Sequence, residues 1–198
     1  MIAIINYGVG NLFSLESSFN AVGQNVKVTS DPEDFKKSER IILPGVGAFE
    51  DAAKKLKSSG LVEPLLTEIK RGKPILGICL GMQLLFSKSF EFGEHEGLNL
   101  IPGEVRYIGE VIPKELNLKI PQIGWNSLQL GIIKRNGEYV YFVHSYAAFC
   151  GEKYITSTTN YGADLTASVQ NKNVYGVQFH PEKSGNAGLN ILRAFCEV

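Results

Sequence analysis

The stretch Lys73-Pro-Ile-Leu-Gly77-Ile-Cys79-Leu-Gly81-Met-Gln83 decides how this chain is read. A short apolar run led by proline reads as a buried strand, and Met82-Gln-Leu-Leu-Phe-Ser-Lys88 has the composition of a helix. The expectation is strand, sharp turn, helix, with Cys79 on the turn. Glycines two residues before and two after the cysteine are what such an elbow requires. Its central residue is held in a strained conformation, and a Cβ on either side would strike neighbouring strands. The thiol is thereby pushed out at the C-terminal edge of a sheet, and a helix beginning directly after it aims free N–H groups at the sulfur. Two readings of Cys79 stand at this point: an activated nucleophile, or an ordinary buried core cysteine.

Working outward, residues 1–6 read as a buried strand, Tyr7-Gly-Val-Gly-Asn11 as a turn and residues 12–22 as a helix. Strand, glycine turn and helix raise the dinucleotide fingerprint, which fails because its third glycine falls at Phe13. Residues 25–29 read as a strand, Asp31-Pro-Glu-Asp-Phe35 as a capped helical turn, and Arg40-Ile-Ile-Leu43 as a strand running into Pro44-Gly-Val-Gly47. Helices are expected over residues 48–59 and 61–71, with Pro64 tolerated in a first turn. Residues 89–97 are polar and acidic and read as an exposed loop. From Leu98 the pattern changes to short strands at about 105–108, 124–130 and 139–145, paired antiparallel through a turn at Arg135-Asn-Gly-Glu138. Further strands at 154–159, 165–170 and 174–178 include a turn at Gln170-Asn-Lys-Asn173, and a helix closes the chain at 188–195. The fold class is therefore α/β: a doubly wound, mostly parallel sheet with an additional antiparallel strand region, and ligands beyond the carboxyl ends of the strands. No repeat, linker or low-complexity tract interrupts it, so residues 1–198 are expected to form a single domain.

Composition narrows the chemistry. Lysine plus arginine and aspartate plus glutamate number 20 each, so no net basic field invites nucleic acid or an anionic membrane. The three cysteines, at 79, 150 and 196, are too few and too dispersed for a disulfide framework and suit a reducing cytosol. The opening Met-Ile-Ala-Ile-Ile-Asn6 has neither the basic flank nor the length of a signal or membrane segment, which points to a cytoplasmic protein.

Three other features fall just after expected strands. In Gln178-Phe-His180-Pro-Glu182, Pro181 biases His180 towards extended backbone, where residues two apart share a side. Glu182 can then orient the imidazole and leave its other nitrogen for a sulfur, completing nucleophile, base and orienting acid. In Pro44-Gly-Val-Gly47, flanking glycines free the Val46 peptide to present an N–H to a developing oxyanion, opposite the N–H of Leu80. That same freedom makes the Val46 peptide a physical switch. Val143-His-Ser-Tyr146 reads as a strand end lining substrate, because Ser145 lacks the glycine flanks of a second nucleophile. No metal or cofactor is expected: His95, His144 and His180 have no ligand spacing, and Glu91, Glu94, His95 and Glu96 read as solvated surface. Cys150, placed in a loop, and Cys196, in the last helix, read as structural.

Together these stretches resemble the class I (triad) glutamine amidotransferases, and within them the glutaminase subunits of imidazole glycerol phosphate synthase. The narrower signals are Asn6-Tyr-Gly-Val-Gly-Asn11, Leu43-Pro-Gly-Val-Gly-Ala-Phe49, Gly124-Trp-Asn126, Tyr141-Phe-Val-His-Ser-Tyr146, and Lys183-Ser184 after Pro-Glu. The likeness runs end to end. It implies Cys79 as nucleophile, His180 as base and Glu182 as its acid, with Val46, Gly47 and Leu80 at the oxyanion. Gly45, Gln83, Glu91, Ser145 and Tyr146 would line a glutamine pocket. It further implies a heterodimer with a (β/α)8-barrel cyclase subunit, contacted through Asn11, Trp125 and Lys183, that receives ammonia for histidine synthesis. Two alternatives remain open from the residues: a related synthase, such as one aminating a surface-polysaccharide sugar, or a redox-sensing single-cysteine α/β protein.

Overall fold

The computed structural model describes residues 1–129 and 137–198. Ile2–Ile5 (β1), Arg40–Leu43 (β3) and Ile75–Ile78 (β4) are four-residue segments that satisfy their backbone polar groups in the interior of a parallel sheet, β1 beside β3 and β3 beside β4. Val26–Thr29 (β2) extends it on one side and Val174–Val177 (β13) on the other, all parallel. Beyond β13, Asp164–Asn171 (β12) and Ile155–Asn160 (β11) add antiparallel strands, giving the order β11-β12-β13-β4-β3-β1-β2. The nucleophile strand β4 is thus central, with β3 and β13 as its neighbours.

Both faces of the parallel strands are buried, and alternate residues feed different cores. Ile2, Ile4, Ile42, Leu76 and Ile78 pack under helices Leu12–Ala21 (α1) and Gly185–Cys196 (α6) through Leu15, Phe19, Ile191, Leu192 and Phe195. Ala3, Ile5, Ile41, Leu43 and Ile75 pack under Pro32–Lys37 (α2), Phe49–Ser58 (α3), Val62–Lys70 (α4) and Leu80–Leu84 (α5). The sheet is therefore wound on both faces, as the alternating pattern predicts. The expected turn at residues 31–35 is capped: Asp31 accepts the Glu33 N–H at 2.9 Å and Pro32 opens α2.

The helix after the elbow is shorter than its composition suggests. It stops at Leu84, and Phe86–Ser89 is a strand (β5). The carbonyls that a further helical turn would use are taken by the 98–101 segment instead: Leu98 N–H donates to Leu84 at 2.8 Å and Leu100 N–H to Leu85 at 2.8 Å. Buried Phe86 then pairs in parallel with Ile101. This builds a second sheet, ordered Tyr146–Cys150 (β10), Ile101–Tyr107 (β7), β5 and His95–Glu96 (β6). Residues 89–97 are accordingly not a bare loop. Cys150 is also corrected: it ends a strand, opposite Gly103. The expected antiparallel ribbon forms between Gln122–Ser127 (β8) and Tyr139–His144 (β9). Leu130, where the first of these strands was expected to end, and Arg135-Asn136 of the expected turn lie outside the described residues.

Candidate active site

Cys79 has φ 54° and ψ −113°, a backbone conformation that non-glycine residues rarely adopt, and its N–H is held by Val177 O at 2.8 Å. A Cβ on Gly81 would stand 1.9 Å from Leu43 O, so the neighbouring strand β3 does exclude a side chain there. At Gly77 the excluding atoms are different. A Cβ would meet Gly81 O at 2.6 Å and Met82 Cα at 2.8 Å, because α5 folds back over its own strand. With five residues, α5 has little macrodipole to offer the sulfur. Side chains supply the donors instead.

His180 follows β13, immediately beside β4. Its Nδ1 lies 2.8 Å from Glu182 Oε1, and both side chains are 2% exposed. The pairing is not made along extended chain as expected: Pro181–Lys183 is a 3-10 turn that folds the carboxylate back onto the ring. That turn is clamped from β9. His180 N–H donates to Tyr141 O at 2.9 Å, Tyr141 N–H to Ser184 Oγ at 3.0 Å, and Ser184 O–H to His180 O at 2.6 Å. With Nδ1–H committed to the carboxylate, Nε2 is the nitrogen left for Cys79. Burial works against the charged imidazole, but hydrogen bonds to Cys79 and Glu182 and their charges outweigh it and raise His180 to about 9. Glu182 Oε2 is buried with no hydrogen-bond partner among the described residues.

The loop after β3 lies against the elbow. A Cβ on Gly45 would come within 2.5 Å of Gly81 N. Gly45 therefore packs directly against the backbone of the elbow, next to the residues that line the pocket around Cys79. Tyr7 O–H donates to Pro44 O at 2.7 Å from the end of β1. The next residues are less constrained: Val46 is exposed, and Gly47 has φ 97° with open space where a Cβ would be.

Around Cys79 and His180 a pocket of about 200 Å³ is lined by Val46, Gly47, Leu80, Gln83, Glu91 and residues 143–146. That is below the roughly 300–1,000 Å³ of drug-sized sites and suits a ligand the size of an amino acid. Glu91 is half-buried, not solvated surface. It accepts the Phe49 N–H at 2.7 Å, and burial raises its pKa against that hydrogen bond. Tyr146, Tyr107 and exposed Phe92 make an aromatic rim. His144 gives its Nδ1–H to Tyr146 O at 2.9 Å, and burial lowers it to about 4, so it is a neutral ring at ordinary pH. Among the described residues, no group of three or more His, Cys, Asp or Glu is placed to hold a metal ion.

Three participants were not picked out from the sequence. Gln178 donates to Cys79 Sγ at 3.8 Å; its signal was available, since it stands two residues before His180 in the stretch just after an expected strand. Tyr7 gave none, its partner being 37 positions away. Tyr141 links two expected surface residues, meeting Trp125 edge-on at 6.2 Å and the Lys183 ammonium over its ring at 5.8 Å. Asn11 caps α1 at Ser14 N–H, and α1 packs on the 181–183 turn, which brings Asn11 and Lys183 to one end of the sheet.

A central cysteine on a strained elbow, paired through histidine to glutamate beside a small pocket, defines a triad acyl-transfer site on a doubly wound sheet. Residues 3–197 match the family glutamine amidotransferase class-I, and the chain belongs to that family. Eight of the curated relatives that it matches are each named imidazole glycerol phosphate synthase subunit HisH. One from Caldanaerobacter subterraneus is 49% identical over 100% of this chain and 98% of its own; another from Geobacter metallireducens is 47% identical over 98% and 96%. Among solved structures, a glutamine amidotransferase crystal structure superposes with TM-score 0.80 at 17% identity, covering 100% of this chain and 98% of that one. The structure of PurLQS from Thermotoga maritima gives 0.74 at 18%, covering 99% and 97%. These two support the fold.

Proposed function

We propose that this chain is the glutaminase subunit of an imidazole glycerol phosphate synthase, a single cytoplasmic amidotransferase domain that works in complex with a cyclase subunit. The observation that carries the reading is the convergence of Cys79, His180 and Glu182 from the ends of β4 and β13 onto one small pocket. Cys79 Sγ attacks the side-chain carbonyl of glutamine, and the oxyanion is met by the N–H groups of Val46 or Gly47 and Leu80. His180 Nε2–H gives its proton to the departing nitrogen, releasing ammonia and leaving a glutamyl thioester. Water, deprotonated by the same nitrogen, then frees glutamate and returns the sulfur. Glu182 holds the ring throughout. Gln83, Glu91, Ser145 and Tyr146 bind the rest of the glutamine.

The other half of the reaction belongs to the partner, a (β/α)8-barrel cyclase in which ammonia meets a ribulosyl aminoimidazole carboxamide nucleotide. The β8–β9 ribbon supports such a partner. Its inner residues Gln122, Val140, Phe142 and His144 are buried, while Ile123, Trp125 and Tyr139 are 61%, 55% and 60% exposed on the other face. Lys183 stands beside that face, its ammonium over the Tyr141 ring at 5.8 Å. The test is Cys79→Ala in the assembled synthase: glutamine-driven turnover should vanish while turnover with added ammonia persists, and equal loss of both would sink the division of labour. A glutamine-mimicking alkylating agent should label Cys79 ahead of Cys150, which burial pushes up to about 11, and Cys196, which burial also raises.

A further inference from the structure

The short α5 leaves a question of what, besides His180, holds negative charge on the sulfur. An amide relay running inward from β10 answers it. Tyr146 O is a backbone carbonyl and can only accept, so the end of the Gln83 side chain that faces it at 3.0 Å must be the NH2 end. The same nitrogen lies 3.0 Å from Gln178 Oε1 and gives it the second hydrogen. With its oxygen fixed towards Gln83, Gln178 can turn only its NH2 end to the elbow, where Nε2 stands 3.8 Å from Cys79 Sγ. Gln178 is wholly buried, and its backbone is anchored by donation to Ala167 O at 2.8 Å. An acceptor-only carbonyl at one end thus dictates that a donor faces the sulfur at the other.

We propose that Gln178 is a sulfur-holding residue of the reaction, its amide N–H stabilising the Cys79 thiolate alongside His180, and that Gln83 is the positioning residue that keeps this amide from turning over. The inference rests on Cys79 being the nucleophile. A donor fixed at the sulfur favours its charged form before attack. It acts again when the thioester breaks: water adds to the carbonyl, the carbon–sulfur bond cleaves, and the electron pair returns to sulfur beside a donor already in place.

The experiment uses the assembled synthase. Gln178→Met keeps the length of the side chain and removes the donor; Gln178→Glu turns acceptors to the sulfur. The readouts are the rate of Cys79 alkylation by iodoacetamide against pH, which needs no glutamine hydrolysis, and kcat and KM for glutamine. Gln178→Met should slow alkylation at pH 7 by about tenfold or more and move the midpoint of the pH curve upward, as loss of one hydrogen bond to a charged atom would. Its kcat should fall by a like factor with KM within about twofold, and Gln178→Glu should lose more. Alkylation of Gln178→Met at the unaltered rate would show that the amide only fills space. Should that variant fail to give a cooperative thermal transition, Gln83→Met releases the lock, and the same alkylation loss is expected; an unchanged rate there overturns the relay. A native chain that is alkylated at Cys79 but hydrolyses no glutamine would refute the glutaminase reading separately, since the alkylation comparison still judges the relay.

Discussion

Replacing Glu182 by glutamine probes the triad through a charge without moving its parts. Glutamine can still accept the His180 Nδ1–H that Glu182 Oε1 accepts at 2.8 Å, so ring orientation survives and the carboxylate charge is lost. His180 stands at about 9 in spite of burial, with Cys79 the larger of its raising partners and Glu182 the second. An opposite charge in direct contact typically displaces a titration by about 1–3 pH units, so the variant histidine should titrate roughly one to two units lower. Because the imidazolium must protonate the leaving nitrogen, the alkaline limb of kcat/KM should move down by the same interval, with about a tenfold loss near pH 8.5. Stability responds with a defined sign. The folded chain holds this proton more tightly than the unfolded chain does, so the stabilisation is complete below about pH 6.5 and is lost as pH rises through about 9. At 1.36 kcal/mol per pH unit the lift from 6.5 to about 9 amounts to about 3 kcal/mol, of which Glu182→Gln should remove roughly half. The assays are glutamine hydrolysis by the assembled synthase across pH 6–10 and urea unfolding at the two ends of that range. An alkaline limb unmoved in the variant, or a stability difference as large at pH 10 as at pH 6, would refute the reasoning.

Three further outcomes are expected. Gly81→Ala puts a Cβ 1.9 Å from Leu43 O and should cost more than about 3 kcal/mol in urea unfolding, whereas Gly47→Ala meets no atom and should cost about 1–2 kcal/mol for its φ of 97°; equal costs would contradict the geometry. His144, lowered by burial to about 4, binds its proton less tightly folded than unfolded, so stability present above about pH 6.5 should fall towards pH 4 by up to about 3 kcal/mol, and His144→Gln should flatten that decline; an identical acid limb in the variant would count against it. Tyr7→Phe removes the donor to Pro44 O and should lower glutaminase kcat about five- to tenfold with KM unchanged, a split that steady-state kinetics on the assembled synthase reads directly.

What the sequence disclosed was mostly local. The elbow was legible because its two glycines bracket Cys79 at fixed distances, and the parallel sheet because β1 is wholly apolar and β3 and β4 depart from that only at Arg40 and Gly77. His180 and Glu182 were legible as a pair, but not the 3-10 turn that joins them, since Pro181 suits an extended chain and the first turn of a helix equally. The β5 strand was hidden by residues of good helix propensity. Only the 98–101 segment, by capturing the carbonyls of Leu84 and Leu85, decides against a helix, and propensity carries no record of such a competitor. Glu91 looked like one of several surface acids because the N–H it accepts belongs to Phe49, 42 positions earlier.

The place of β13 beside β4 has a consequence for the chain as it is made. Gln178 lies 99 positions after Cys79, and His180 follows it, so at about 5–20 residues per second the cysteine waits on the order of 5–20 s for its base. Throughout that interval Ile75–Ile78 is the open margin of a half-built sheet, its hydrogen-bonding groups awaiting Val174–Val177. The nascent chain is chemically silent, because the thiol has no imidazole, and it is adhesive, because an apolar strand edge is free to accept a strand from another chain. One late insertion ends both conditions together, so a ribosomal stall or nonsense codon after Ile78 and before residue 174 should give a product that aggregates and never one that squanders glutamine.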